Sequence, residues 1–208
     1  MPLLLTRAEE DAASTVARLP PEFEAVIAPA LAYEATGSVA ELLAAAPSRP
    51  TLLVTTPRSV PVAVALSVGR EVVALAPRTS AALVEAGVTV RPVCGGVEQA
   101  MATLDPASTL LLTSDLGAHT AARRWPTMAV LVTHRTVAPA SLPAPAAALL
   151  ASGTAFAVFF ASPSAVENFE HLAPGAAARA AARYVHGAST AAALTALGLS
   201  SSPLTLGA

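Results

Sequence analysis

An α/β protein of two domains, each with a parallel sheet flanked by helices, is predicted from three features of the sequence. Short runs that are apolar throughout recur along the chain, each ends in a hydroxyl-rich or Gly/Pro turn, and an Ala/Leu segment with helical spacing follows. Continuous apolar runs are what strands need when both faces of a sheet are covered. Their alternation with helical segments sets the class. The third feature is an internal echo, described below, which divides the chain into two halves.

The predicted strands, in order, are Leu3 to Leu5, Ala25 to Ile27, Leu52 to Val54, Val72 to Leu75, Leu110 to Leu112, Ala129 to Val132, Ala155 to Phe160 and Tyr184 to Val185. The stretches TGSVAELLAAAPSRP, near Thr36 to Pro50, and VAPASLPAPAA, near Val137 to Ala147, are rich in small residues and proline and read as linkers. From Thr136 to Val166 no charged residue occurs, but Pro139, Pro143, Pro145 and Gly153 interrupt the stretch. A membrane span needs about 20 unbroken apolar residues, so the segment reads as linker, short Ala-rich helix, turn and buried strand.

Four pairs of segments match in the same order at offsets of a little over a hundred residues. LLLTR at Leu3 lies over LLLTS at Leu110, AVI at Ala25 over AVL at Ala129, and Thr56-Pro57-Arg58-Ser59-Val60 over Ser162-Pro163-Ser164-Ala165-Val166. Thr79, Ala81, Ala82, Leu83 and Gly87 lie over Thr190, Ala192, Ala193, Leu194 and Gly198. Ordered agreement of this kind reads as a tandem duplication. Each half runs strand, helix, strand, linker, strand, helix, strand, helix. Spacing alone leaves open whether each half folds on itself or exchanges parts with the other.

Hydrophobic residues make up 54% of the 208 and charged residues 12%, which excludes a disordered chain and implies a compact soluble protein. All twelve basic residues are Arg, a pattern that GC-rich coding explains without any special guanidinium chemistry. A net charge of −2 and a pI near 6.1 argue against nucleic-acid or anionic-membrane partners, which demand a positive field. The single cysteine, Cys94, excludes an internal disulfide, and MPLLLTRAEED has no signal-peptide pattern; a cytoplasmic protein is expected. His119, His134, His171 and His186 show no metal-ligand spacing, so no metal is expected. There is no GxSxG, phosphate-binding loop or GxGxxG. Cys94-Gly95-Gly96 reads as a turn and Trp125 as a packing residue.

In a parallel α/β sheet the ligand site lies beyond the carboxyl ends of the strands, where helix starts present N–H groups. The candidates are Thr6 and Arg7; Thr55, Thr56 and Arg58; Arg78 and Thr79; Thr113, Ser114 and Asp115; His134; Ser162 and Ser164; and Gly187, Ser189 and Thr190. Hydroxyls suit a ligand with several carboxylates, because they donate to oxygen without burying charge. Ser and Thr are equally the usual helix N-caps, so either reading fits each one singly.

Five stretches in order, LLLTRAEEDA, VTTPRSV, ALAPRTSAALVEAGV, FFASPSAVENF and HGASTAAALTALGL, resemble the uroporphyrinogen-III synthase family from about Leu3 to Leu199. The resemblance implies two α/β domains joined by a two-stranded connector, the first discontinuous (1–34 with 143–208) and the second at 38–134. It implies that a cleft between them takes the linear tetrapyrrole hydroxymethylbilane and closes it, with loss of water and inversion of ring D, to uroporphyrinogen III. No cofactor or metal takes part, and a monomer is expected. The substrate-binding set carried over comprises Arg7, Thr55, Thr56, Arg58, Arg78, Thr79, Ser114, Ser162, Ser164, Ser189 and Thr190.

Two substitutions depart from the family's pattern, and the end SSSPLTLGA is shorter than the family's usual terminal helix. The connector resembles VxVYxT, whereas this chain reads VLVTHRT, so His134 stands where a tyrosine is usual and is the expected proton donor, as an imidazolium. Ser114-Asp115 replaces a usual Arg-Gly, and Asp115 is expected to cap the following helix. These departures also fit a catalytically inactive synthase-like domain that binds a tetrapyrrole or other multi-carboxylate ligand for regulation. A periplasmic-type binding protein, a third reading, is weakened by the lack of an export signal.

Overall fold

The structure, a computed structural model, describes residues 1–207. The chain divides into two compact units, Met1–Ala32 with Val137–Ala208 and Tyr33–Thr136. Ala208 itself lies outside the described residues.

The first unit is built on strands β1 (Pro2–Leu5), β2 (Glu24–Ile27), β9 (Ala157–Phe160), β10 (Ala182–Val185) and β11 (Ser202–Pro203), in the order β11-β10-β9-β1-β2, all neighbours parallel. Its helices are α1 (Glu9–Val16), α7 (Ala144–Ala151), α8 (Pro163–Leu172), α9 (Ala176–Arg179) and α10 (Ala188–Ala196). Leu3 and Leu5 of β1 pack with Ala157 and Phe159 of β9 on one face. Leu4, Val158 and Phe160 point to the other face and are equally buried. Both faces being covered is what makes these runs apolar throughout. On α8, Ala165, Val166 and Phe169 are buried, and Phe169 meets Phe160 edge to face with centroids 5.5 Å apart.

The second unit holds β3 (Ala32–Ala35), β4 (Thr51–Val54), β5 (Glu71–Leu75), β6 (Arg91–Val93), β7 (Thr109–Ser114) and β8 (Ala129–Val137), in the order β3-β8-β7-β4-β5-β6. Neighbours from β8 to β6 are parallel. Its helices are α2 (Val39–Ala45), α3 (Val60–Leu66), α4 (Arg78–Glu85), α5 (Val97–Met101) and α6 (Asp115–Arg124), with 3₁₀ turns at Pro57–Ser59 and Pro106–Ser108. Leu52, Val54, Val72, Ala74, Leu110 and Leu112 face one core cluster; Leu53, Val73 and Leu111 face another across the sheet.

The echo in the sequence has a structural counterpart. Omitting β3, the two sheets have the same order once β1 is matched to β7, β2 to β8, β9 to β4 and β10 to β5, the first two pairs matching in their own sequences and the last two in the segments that follow them. Each sheet therefore takes two of these strands from each half of the chain. The ends of α4 and α10 agree in detail. Gly87 and Gly198 follow them with φ of 81° and 73°. Each glycine N–H bonds three residues back (Gly87 to Val84, 2.9 Å; Gly198 to Thr195, 2.9 Å), and the next N–H reaches five back (Val88 to Leu83 and Leu199 to Leu194, both 3.0 Å). This is a Schellman stop, which requires a left-handed residue and so selects glycine.

Three parts of the sequence reading need correction. The first expected linker contains α2: Ser38 caps it and Glu41 accepts back from the Ser38 N–H at 2.8 Å, a capping box that buries Leu42. The second is shorter than expected, since α7 begins at Ala144. Strands β3, β6 and β11 were not foreseen. They are short edge strands carrying Glu34, Pro92 and Pro203, which an edge tolerates and which hide the apolar signal. No helix among the described residues is long and apolar enough to cross a membrane.

Candidate functional site

In the second unit, the carboxyl ends of β4, β7 and β8 hold a joined set of polar groups. The Thr133 hydroxyl, buried on β8, lies 2.8 Å from Ser59 Oγ, 3.0 Å from His134 Nδ1 and 3.3 Å from the Thr113 carbonyl. A hydroxyl has one proton and two lone pairs, and a carbonyl only accepts. All three contacts are satisfied together in one way: Thr133 donates to Thr113, while Ser59 and the His134 Nδ1–H donate to Thr133. The neutral His134 ring then presents a lone pair at Nε2.

His134 is buried, and its pKa is lowered from the usual histidine value by that burial first and by the Arg58 guanidinium second, with the Asp115 carboxylate pulling the other way. The ring is therefore neutral at neutral pH. Burial and Arg58 favour the neutral ring over the imidazolium expected from the sequence. Tyr33 on β3 meets His134 edge to face, centroids 5.9 Å apart and planes at 74°. Over the Tyr33 ring lies Arg58, its guanidinium carbon 3.4 Å from the centroid. Arg135 and Glu34, also on β8 and β3, form an exposed ion pair at 2.8 Å.

Other predicted residues of this unit fall nearby. Thr55 donates to the Leu112 carbonyl at 3.1 Å and contacts Thr113 Oγ1 at 2.9 Å, so its hydroxyl serves the sheet end. Thr113 is seated under α6 because Gly117 has no side chain; a Cβ there would come 2.2 Å from Thr113 Oγ1. Thr56 accepts from the Arg58 N–H at 3.4 Å, and Ser114 from the Gly117 N–H at 3.2 Å. Ser114, not Asp115, is thus the N-cap of α6. The Asp115 carboxylate instead accepts from the Thr136 N–H at 3.2 Å, tying the helix start to β8. Arg78 and Thr79 open α4, the first exposed and the second buried. An apolar pocket of about 460 Å³ between α5 and α6 is bordered by Gln99, Leu111, Thr113, Gly117 and Trp125; of the strand-end residues named from the sequence, only Thr113 lines it.

The first unit presents its own strand ends. Arg7 donates to Thr15 Oγ1 at 3.0 Å, and the buried Thr6 hydroxyl donates to the Phe159 carbonyl at 2.8 Å. Ser162 caps α8 by accepting from the Ala165 N–H at 3.3 Å, with Pro163 in the first turn and Ser164 half-buried beside it. Thr190 is buried and donates to the His186 carbonyl at 3.2 Å, whereas Ser189 is exposed at the start of α10. His186 is exposed beside it, while His119 and His171 lie exposed on α6 and α8.

The predicted hydroxyls thus separate by how they bond. Thr55 and Thr190 spend their O–H on backbone carbonyls. Thr56, Ser114 and Ser162 accept as caps, which uses a lone pair and keeps the O–H able to donate. Tyr33, Ser59 and Thr133 were missed by sequence reading. For Tyr33 the only signal was an aromatic in AYEATG just before the expected linker.

The family described as Uroporphyrinogen-III synthase HemD matches residues 21–202. The chain belongs to this family. No curated protein sequence matches the chain. Two solved synthases share its fold. A uroporphyrinogen-III synthetase from Helicobacter pylori is similar with a TM-score of 0.62 at 14% identity, covering 96% of this chain and 90% of that one. A mutant uroporphyrinogen III synthase from the extremely thermophilic bacterium Thermus thermophilus is similar with a TM-score of 0.56 at 21% identity, covering 97% and 90%. His134, expected from the sequence to stand where a tyrosine is usual, is itself packed by a tyrosine, Tyr33 of β3.

Proposed function

We propose that this chain closes hydroxymethylbilane to uroporphyrinogen III, with inversion of ring D and loss of water, in the cytoplasmic route to heme. Membership of the synthase family over residues 21–202 carries this reading. The reaction neither oxidises nor reduces its substrate, so its chemistry calls for no redox cofactor. The hydroxyl leaves with one added proton and the pyrrole N–H gives one up, which balances as water. The electron-poor methylene-pyrrole so formed cyclises readily, and the protein's main task is to hold the chain in the inverting conformation.

The substrate's eight carboxylates are met by cationic and hydroxyl donors. Arg58 is the central one in this reading, with the cap hydroxyls of Thr56 and Ser114 beside the same strand ends. Arg7, Arg78, Ser162, Ser164 and Ser189 are further donors at strand ends and helix starts. Thr55 and Thr190 hold the backbone that presents them, and Thr79 is buried at the start of α4. Neutral His134, with its lone pair at Nε2, acts as an acceptor and not as the acid. The protein works as a monomer.

The test is an assay in which hydroxymethylbilane is generated in situ, the products are oxidised and the type I and type III porphyrins are separated by chromatography. Type III is the expected product. Type I alone at high protein concentration would overturn the synthase reading.

A further inference from the structure

A buried series of hydroxyls ends on His134. Ser59, Thr133 and His134 are 0%, 4% and 6% exposed, the first from the 3₁₀ turn after β4 and the other two from β8. Neighbours on a regular strand point to opposite faces, yet Thr133 Oγ1 lies 3.0 Å from His134 Nδ1. A bulge makes this possible: Thr113 pairs with Val132 and the next residue, Ser114, with His134, which leaves Thr133 as an extra residue on β8. The Thr133 hydroxyl is committed elsewhere. It donates to the Thr113 carbonyl, and Ser59 reaches it at 2.8 Å, so toward the ring it accepts. The proton of the neutral ring is thereby held at Nδ1, and Nε2, which has no hydrogen-bond partner among the described residues, keeps its lone pair.

We propose that Ser59 and Thr133 are positioning residues: through the tautomer they impose, His134 Nε2 accepts a hydrogen bond from a pyrrole N–H of the substrate. A lone pair repels the substrate's carboxylates, which leaves its N–H groups and its hydroxyl as donors. An acceptor at the hydroxyl would oppose the protonation by which that group departs. A pyrrole N–H instead becomes more acidic as the hydroxyl leaves, so a bond to it strengthens toward the transition state. The inference rests on the proposed synthase reading and names the substrate group that His134 meets within it.

The experiment reads the ring directly and sets it beside KM, kcat and the porphyrin isomer ratio. In protein labelled with nitrogen-15 at histidine, long-range proton–nitrogen correlation above the ring's pKa separates the two tautomers, and the resonances absent from His134→Phe identify His134. Wild type should carry the proton at Nδ1. Thr133→Val keeps the shape and removes the hydroxyl, so the proton should move to Nε2 and kcat should fall about tenfold, with KM changing less than kcat. Thr133→Ser restores the hydroxyl and should recover the wild-type tautomer, with kcat within about twofold of wild type. Ser59→Ala releases the Thr133 hydroxyl to rotate, so both tautomers should appear, with a smaller loss of kcat than Thr133→Val gives. A wild-type ring protonated at Nε2 would overturn the proposal, and so would a Thr133→Val protein whose tautomer changes while kcat does not. Should Thr133→Val fail to fold, Ser59→Ala decides: a tautomer and kcat equal to wild type contradict the positioning role. Type I product from the wild type would sink the synthase reading whatever the tautomer; type III from a wild type protonated at Nε2 would sink this inference alone.

Discussion

At the carboxyl end of the first unit's sheet, several polar side chains are occupied in holding backbone. Thr6 bonds the Phe159 carbonyl, Thr190 the His186 carbonyl, Arg7 the Thr15 hydroxyl, and Ser162 caps α8. At the matching end of the second unit's sheet, Ser59, Thr133, His134, Tyr33 and Arg58 touch one another in series and end in a stacked cation. The two sheets share strand order, and the two turns share a hydroxyl followed by proline. Their helices differ after that. Ser162-Pro163 leads straight into the ten residues of α8, whereas Thr56-Pro57 makes a 3₁₀ turn before α3, whose second residue is again proline, Pro61. That extra turn is what brings Arg58 out over Tyr33. The two sheets share a frame, and the joined series of polar side chains lies in one of them.

The contrast can be broken most strongly at Gly117. Adding a methyl there puts Cβ 2.2 Å from Thr113 Oγ1, which is itself bonded to Thr55, so Gly117→Ala should destabilise the protein by about 1–3 kcal/mol through overpacking. A denaturant titration checks this, and a midpoint equal to wild type would mean that Thr113 moves aside at no cost.

Ser162→Ala comes next. Loss of an N-cap costs about 1 kcal/mol and lowers the melting temperature, with a smaller rise in KM than Arg58→Ala gives. Thr56→Ala should lose less stability than Ser162→Ala, about a few tenths of a kcal/mol. Its cap bond is 3.4 Å long and serves a single 3₁₀ turn.

His134 gives the second unit a pH signature. Its pKa is lowered in the folded state, so between that value and the unfolded one of about 6.5 the unfolded chain binds more protons. Stability from this group is therefore full above about pH 6.5 and declines as the pH falls toward the folded pKa. Wild type should lose more stability between about pH 7.5 and about pH 5.5 than His134→Phe does, read from urea midpoints. Parallel profiles would show that the imidazole charges freely in the folded protein. The same variant tests the neutral-acceptor role: a rate unchanged from wild type would mean that positioning by the remaining residues carries the reaction.

Much of the frame was legible because each core strand is covered on both faces. Leu52 and Val54 pack one way and Leu53 the other, so all eight continuous apolar runs became strands. The edge strands were not legible, since β6 carries Pro92 and β11 carries Pro203 at positions where apolar continuity is not needed. The α2 helix was readable in principle from Ser38 and Glu41, but its small residues resemble a linker. At the site, sequence picked out Arg58, Thr56 and His134 from their places at strand ends. It could not show that Thr55 and Thr190 donate to carbonyls while Ser114 and Ser162 accept, because that depends on local backbone direction. Tyr33 lay out of reach for a simpler reason: it meets His134 only after the chain has run through the whole second unit.

The most direct measurement is a side-by-side comparison of Arg58→Ala and Ser162→Ala in the isomer assay, with melting temperatures taken on the same samples. Arg58→Ala should raise KM about tenfold or more, as removal of a charge-assisted bond to a carboxylate requires, and let type I porphyrin accumulate. Ser162→Ala should lower the melting temperature, raise KM less than Arg58→Ala does and keep type III as the product. The opposite outcome, a stable Ser162→Ala that loses substrate beside an Arg58→Ala with wild-type KM, would contradict the assignment of the carboxylate subsite to the second unit.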